Sequence, residues 1–180
     1  MLDPQTLLDF WFSPSSRERW FQSTPEFDSQ CQDRFGDWIE AAAAGRLDHW
    51  QEHAQGALAA ILLLDQLPRN VFRGSARAFA FDAQALEIAK RAVDRGFDQV
   101  LELPHRIFIY LPFEHSEDLT DQNRSVELFR ATGNATTLDY AIRHQVIIER
   151  FGRFPHRNAI LGRTSTAQEE AFLQEPNSSF

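Results

Sequence analysis

The chain has 180 residues, 26 acidic and 18 basic side chains, and a formal net charge of −8, a balance that argues against non-specific nucleic-acid binding, which rests on phosphate neutralisation by Lys and Arg. Its length suits one domain that buries roughly 70% of the surface its unfolded chain exposes, and its one cysteine, Cys31, has no internal partner, which fits a reducing compartment. "MLDPQTLLDFWF" lacks the basic start of a secretory signal, and the longest uncharged apolar run, Gly56 to Leu64, falls far short of the ~20 residues of a membrane span, so a cytoplasmic protein with neither a membrane nor a nucleic-acid partner is expected.

The elements follow in chain order. Asp3 and Pro4 predict an N-cap and first helical position for a helix through Phe10, which Ser13-Pro14 ends. Thr24-Pro25-Glu26 starts a second helix, with Phe27, Cys31, Phe35, Trp38 and Ala42 as its apolar stripe and Gly45 at C′. Arg46 to Gln51 reads as a connection anchored by Trp50. The helix from Ala54 to Gln66 is apolar nearly all round and belongs in the middle of the fold; Pro68 should stop it. Ser75 or Asp82 starts the next, with Leu86, Ala89, Ala92 and Val93 buried and Gly96 terminating. Pro104 opens a short aromatic helix that Pro112 closes.

Further on, Ser116 should cap a helix with Glu117 and Asp118 in its first turn. Leu119, Val126, Leu128 and Phe129 face inward, and Gly133 ends it. Thr136 or Thr137 starts a helix through Phe151. Thr166 and Glu169 fit a capping box for a last helix ending near Gln174. No segment alternates as a strand would. Sixteen Phe and four Trp imply an aromatic core, with Phe108, Phe113, Phe151 and Phe154 expected inside. A single lysine among the cations, Lys90, leaves arginine, whose planar fork suits partly buried carboxylate or phosphate pairs.

Three segments carry a family resemblance: "LLDQLPRNVFRGSARAFAFDAQAL", "FIYLPFEHSEDLTDQNRSVELF" and "HQVIIERFGRFPHRNAILGRTSTAQEEAFL". Together they resemble the bacterial family catalogued as domain of unknown function 924, over essentially the whole chain. The resemblance implies an all-helical, tetratricopeptide-like fold and no established reaction, cofactor or substrate. Some members have been labelled membrane proteins, against which the short apolar runs argue. The expected fold is all-α: antiparallel helix pairs stacked in a tetratricopeptide-like right-handed array, one domain over 1–180 with a frayed tail from 175.

Two turns share one layout. Leu67-Pro68 is followed by Arg69-Asn70, and Phe154-Pro155 by Arg157-Asn158 after His156, with Gly74 or Gly162 four residues on. In one reading these are helix corners, with Arg69 and Arg157 bonding exposed carbonyls and Asn70 and Asn158 turning the chain. In the other, both corners supply cations to one cavity. Arg69, Arg73, Arg153 and Arg157 would then hold a small anion or a peptide carboxylate, oriented by Asn70, Asn158, Gln122 and His156. A competing reading is a hydrolase using His115, Glu117, His144 and His156, with or without a metal. A third is an interaction module in which the cluster only locks helices together. The histidine spacings, His49 and His53 included, diagnose no metal site, and no cofactor is expected. Cys31 sits on an apolar stripe as a small hydrophobe.

Overall fold

A computed structural model of the chain describes residues 2–179. Among them there is no strand. The helices are α1 (Pro4–Trp11), α2 (Pro14–Arg17), α3 (Pro25–Ala43), α4 (Ala54–Ile61), α5 (Leu67–Val71), α6 (Asp82–Asp94), α7 (Leu103–Glu114), α8 (Leu119–Ala131), α9 (Ala135–Phe151) and α10 (Ala167–Phe172), with short 3-10 turns between several of them. Two compact units form: Met1–Arg73 with Arg77–Pro112, and Gly74–Ala76 with Phe113–Phe180.

In the N-terminal unit the predicted caps act as expected at α1 and α3, where the Asp3 carboxylate accepts from the Gln5 amide and the Thr24 hydroxyl from the Phe27 amide. Ser13 does more than end α1: it caps the single turn of α2. α3 closes with the Gly45 amide on Ala42 and the Arg46 amide on Ala41, the paired bonds of a left-handed C′ glycine. Phe27, Cys31, Phe35 and Ala42 are buried, and Trp38 is half-buried against Trp50. An aromatic core joins Trp11, Phe27, Phe35 and Phe108, with Phe10 stacked on Phe27 at 5.7 Å and Trp11 edge-on to Phe108 at 5.8 Å. Burial pushes the Cys31 thiol up to about 12, with Asp28 adding to it; it packs as a hydrophobe.

Pro68 does not stop the central helix. Leu62–Gln66 forms a π turn, in which the Leu67 amide reaches back to the Leu62 carbonyl, and the chain runs on through Pro68 as the first turn of α5. In an unbroken α-helix the proline ring would press on the carbonyl four residues back. One wider turn absorbs that misfit. Counting α4, the π turn and α5 as one continuous helix, the described residues hold nine α-helices. Gly56 is required near its start, because an added Cβ would lie 2.0 Å from the Trp50 carbonyl oxygen. Pro112 likewise fails to close α7, which runs two residues past it. On α6 the buried residues are Ala85, Ile88, Ala89 and Ala92, while Leu86 and Val93 are half-buried. The packed face is thus rotated toward Ala85 and Ile88, leaving Leu86 and Val93 at its edge.

The C-terminal unit is built on α8 and α9, which pack antiparallel, with Gln145 donating to Asn123 across them. α8 begins later than expected. Asp118 is its N-cap, accepting from the Thr120 amide, while Ser116 stands outside and donates to Asp121. Leu119 is exposed, and Asp121, Gln122 and Ser125 are buried beside Val126, Leu128 and Phe129. α9 is capped by Asn134, whose side-chain Oδ1 accepts from both Thr136 and Thr137 amides; the threonines lie inside the helix. The capping box of Thr166 and Glu169 opens α10. Ser178 donates to the Leu173 carbonyl.

Phe108, Phe113 and Phe154 are buried, but Phe151 is half-buried, packed on Phe172 with Arg150 over its ring. Circular dichroism should show a helical spectrum without a sheet component. Phe154→Ala should destabilise by ~3–5 kcal/mol, and Phe151→Ala by clearly less; urea titrations showing the reverse order would contradict this packing.

Candidate functional site

At the first corner, Arg69 lays its guanidinium fork on Asp82, at 2.8 and 2.9 Å, and also donates to the Asp65 carbonyl. Asp65 is fully buried, 3.4 Å from the same guanidinium. Arg73 makes a second fork, on Asp28, at 2.7 and 3.1 Å. Asn70 adds its amide to Asp28 and Ser23. Burial raises the Asp28 carboxyl, but Arg73, Asn70 and Ser23 outweigh it and hold it below the ordinary range. Gly74 follows at φ +78, with open space around it, so the backbone angle alone requires glycine there.

The second corner belongs to the C-terminal unit. Arg153 forks onto Glu169, at 2.6 and 2.8 Å, and donates to the Thr164 carbonyl. These hydrogen bonds, with that of the Thr166 amide, hold the Glu169 carboxyl down at about 2. Glu117 receives the fork of Arg163, at 2.8 and 3.0 Å, and the Phe154 amide at 2.8 Å. Burial pushes that carboxyl up, but Arg163, the Phe154 amide and Arg157 prevail and hold it low. Asn158 takes no left-handed geometry. It is helical at φ −57 and joins Arg163 to Ser165 through its side chain. Gly162 turns the chain at φ +67.

Several nitrogens of the C-terminal unit gather on the ring of Phe154, whose backbone amide Glu117 holds. Phe154 is fully buried; His144 meets it edge-on at 5.6 Å, His156 lies 5.7 Å away, and the Arg157 guanidinium sits over it at 4.6 Å. His115 is 6.3 Å from His144. His144 Nδ1 lies 2.8 Å from the Tyr140 carbonyl and 3.3 Å from the Glu114 carboxylate. Burial pushes its pKa down to about 3 against the pull of the Tyr140 carbonyl, and His115, Arg157 and His156 push the same way. His144 is therefore neutral near pH 7, with Nδ1 donating to Tyr140. Gln122 donates to the carbonyls of Glu114 and Ser116. The sequence pattern placed Gln122, His156 and Arg157 in the anion-binding set and His115, His144 and His156 in the competing hydrolase set. It missed Ser125 and Arg163. A polar pair at Gln122 and Ser125 on the face of α8 that also carries Val126 and Phe129 was the available signal.

His49 and His53 do not share a helix face. Both are exposed, and His53 is extended at φ −133. Among the described residues no three His, Cys, Asp or Glu side chains are grouped to hold a metal ion, and no helix is long and apolar enough to cross a membrane. A cleft of about 510 Å³ on the N-terminal unit, walled by Leu8, Asp9, Phe12, Glu102 and His105, contains none of the sequence-predicted residues.

An all-helical chain with this cluster is matched over residues 7–177 by the family described as bacterial protein of unknown function (DUF924). The chain belongs to that family. It is also similar to a solved structure of a protein of unknown function from Agrobacterium tumefaciens, with 43% identity and a TM-score of 0.91, covering 95% of this chain and 96% of that one. No curated protein matches.

The buried groups predict two phases of acid destabilisation. His144, and His105 (whose pKa burial also lowers), take up protons on unfolding, so stability falls as pH drops below about 6.5, the ordinary histidine value. Asp28, Glu117 and Glu169 contribute stability above the ordinary carboxylate range, and it is lost as pH falls through about 4.5 and below. Urea midpoints between pH 8 and 4 should show both phases, and His144→Gln should flatten the upper one while leaving the lower.

Proposed function

We propose that the chain is a cytoplasmic binding protein for a small anion, a carboxylate or a phosphate, received by the cluster around Phe154. The observation that carries this reading is the convergence of Arg157, His144 and His156 on one buried ring, with His115 beside His144. Arginine's planar fork matches a carboxylate or phosphate in two parallel bonds, and the imidazoles of His115 and His156 bring further ring nitrogens to the cluster. Arg69, Arg73 and Arg153 each fork onto an acid of their own unit. Those arginines act as helix locks, and the residues proposed to touch the ligand are the cluster's own Arg157, His156 and Gln122, with Asn158 as support.

Hydrolysis fits the same residues less well. A general base works best with a pKa near the working pH, and His144 at about 3 lies far below it. Glu117, the acid expected beside His115, is taken by Arg163 and the Phe154 amide.

Thermal unfolding with added phosphate, citrate and small monocarboxylates, at constant ionic strength, tests the proposal. A specific ligand at 100 times its Kd stabilises by about 2.7 kcal/mol, which for a chain of this size is a rise of roughly 5–10 °C. One anion class should raise Tm selectively, and Arg157→Lys and His156→Gln should each remove most of that rise while leaving the free protein folded. An equal response to every salt would overturn the reading.

A further inference from the structure

We infer that the anion bound by this cluster also carries a hydrogen-bond donor, a hydroxyl or amino group, which Gln122 Oε1 and Ser125 Oγ receive. The inference rests on the anion-binding reading above and narrows its ligand class.

The orientation of the Gln122 amide is what decides the matter. Its Nε2 lies 2.6 Å from the Glu114 carbonyl and 2.7 Å from the Ser116 carbonyl. A flipped amide would set an oxygen against two carbonyl oxygens, so only the NH2 group fits there. That leaves Oε1 as a pure acceptor. The side chain is fully buried, and Oε1 has no hydrogen-bond partner among the described residues.

Ser125 repeats the feature. It is fully buried, its Oγ has no hydrogen-bond partner among the described residues, and it stands three residues after Gln122 on the same helix face. Two buried oxygens, one able only to accept, therefore share one stripe of α8. The stripe adjoins the histidine cluster through Glu114, whose carbonyl takes the Gln122 amide and whose carboxylate lies 3.3 Å from His144 Nδ1. A plain carboxylate has no proton to give Gln122, and a phosphate has only its own P–OH. A hydroxy acid or an amino acid has one, on an atom next to its carboxylate. The pairing also discriminates sharply, because a buried acceptor without its donor loses the water that would otherwise satisfy it.

Calorimetric titration of the full chain with two matched sets tests this: propionate, L-lactate and L-alanine, then succinate, L-malate and L-aspartate, at fixed ionic strength. In at least one set the hydroxy or amino member should bind about tenfold more tightly than the plain acid, as expected for a satisfied buried hydrogen bond. Whether lactate and malate or alanine and aspartate gain identifies the donor. Ser125→Ala removes one oxygen without changing the packing. It should leave folding intact and shrink the preference to about twofold. Equal binding of plain and donor-bearing acids would overturn the inference while leaving the anion site standing. A preference unchanged in Ser125→Ala would also overturn it, since the donor would then be received elsewhere. If no member of either set binds and phosphate and citrate also leave Tm unmoved, the anion-binding reading itself fails, and this inference with it.

Discussion

The carboxylate of Glu117 is the group on which the candidate cluster depends. It takes both ends of the Arg163 fork and, at the same time, the amide of Phe154. Arg163 in turn donates to the Phe154 carbonyl and to Asn158. One acid and one arginine thus hold both ends of the segment that carries Pro155, His156 and Arg157. Charge-assisted forks of this kind are short and directional, and here they hold the segment in the orientation that places Arg157 over Phe154. Arg153 and Glu169 make a second such pair, and Glu169 also closes the capping box of α10. The short C-terminal helix is tied to the same corner through one side chain.

The N-terminal unit uses the same device with other partners. Asp28 collects Arg73, Asn70 and Ser23, while Asp82 holds Arg69. A guanidinium near a core needs a matched charge, because burying an uncompensated ion is far more costly than forming the pair. The similar Pro-Arg-Asn-Gly patterns nonetheless give different backbones. Before Pro68 a π turn lets the helix continue. At Pro155 the chain has already left α9 through Gly152, at φ +68, and a 3-10 turn follows. The proline sets the same local restriction in both places, and the preceding chain decides whether a helix continues across it.

Much of the helical framework was legible because its signals are local. Asp3, Thr24 and the pair Thr166 and Glu169 cap helices through bonds that span two or three residues. Gly45, Gly96 and Gly133 sit at left-handed angles after α3, α6 and α8. Where several capping residues compete, local reasoning chooses poorly. Asp118 displaced Ser116, and Asn134 displaced the threonines. The face of α6 was misjudged because alanine and leucine both satisfy a helical period, and only the neighbouring surface decides which of them it admits.

What the sequence determined by itself is the all-helical fold, most of its start and stop points, the family to which the chain belongs, and the list of polar residues from which a site could be built. Capping, period and chain-breaking act over a few residues, so they can be read without knowing what lies across the core. Only the tertiary structure decided which arginine met which acid, since Arg163 reaches Glu117 across 46 positions and Arg73 reaches Asp28 across 45. It also decided that Gln122 turns its NH2 to two carbonyls and leaves its oxygen buried. Charge matching and desolvation depend on distance in space, and separation along the chain carries almost none of that information.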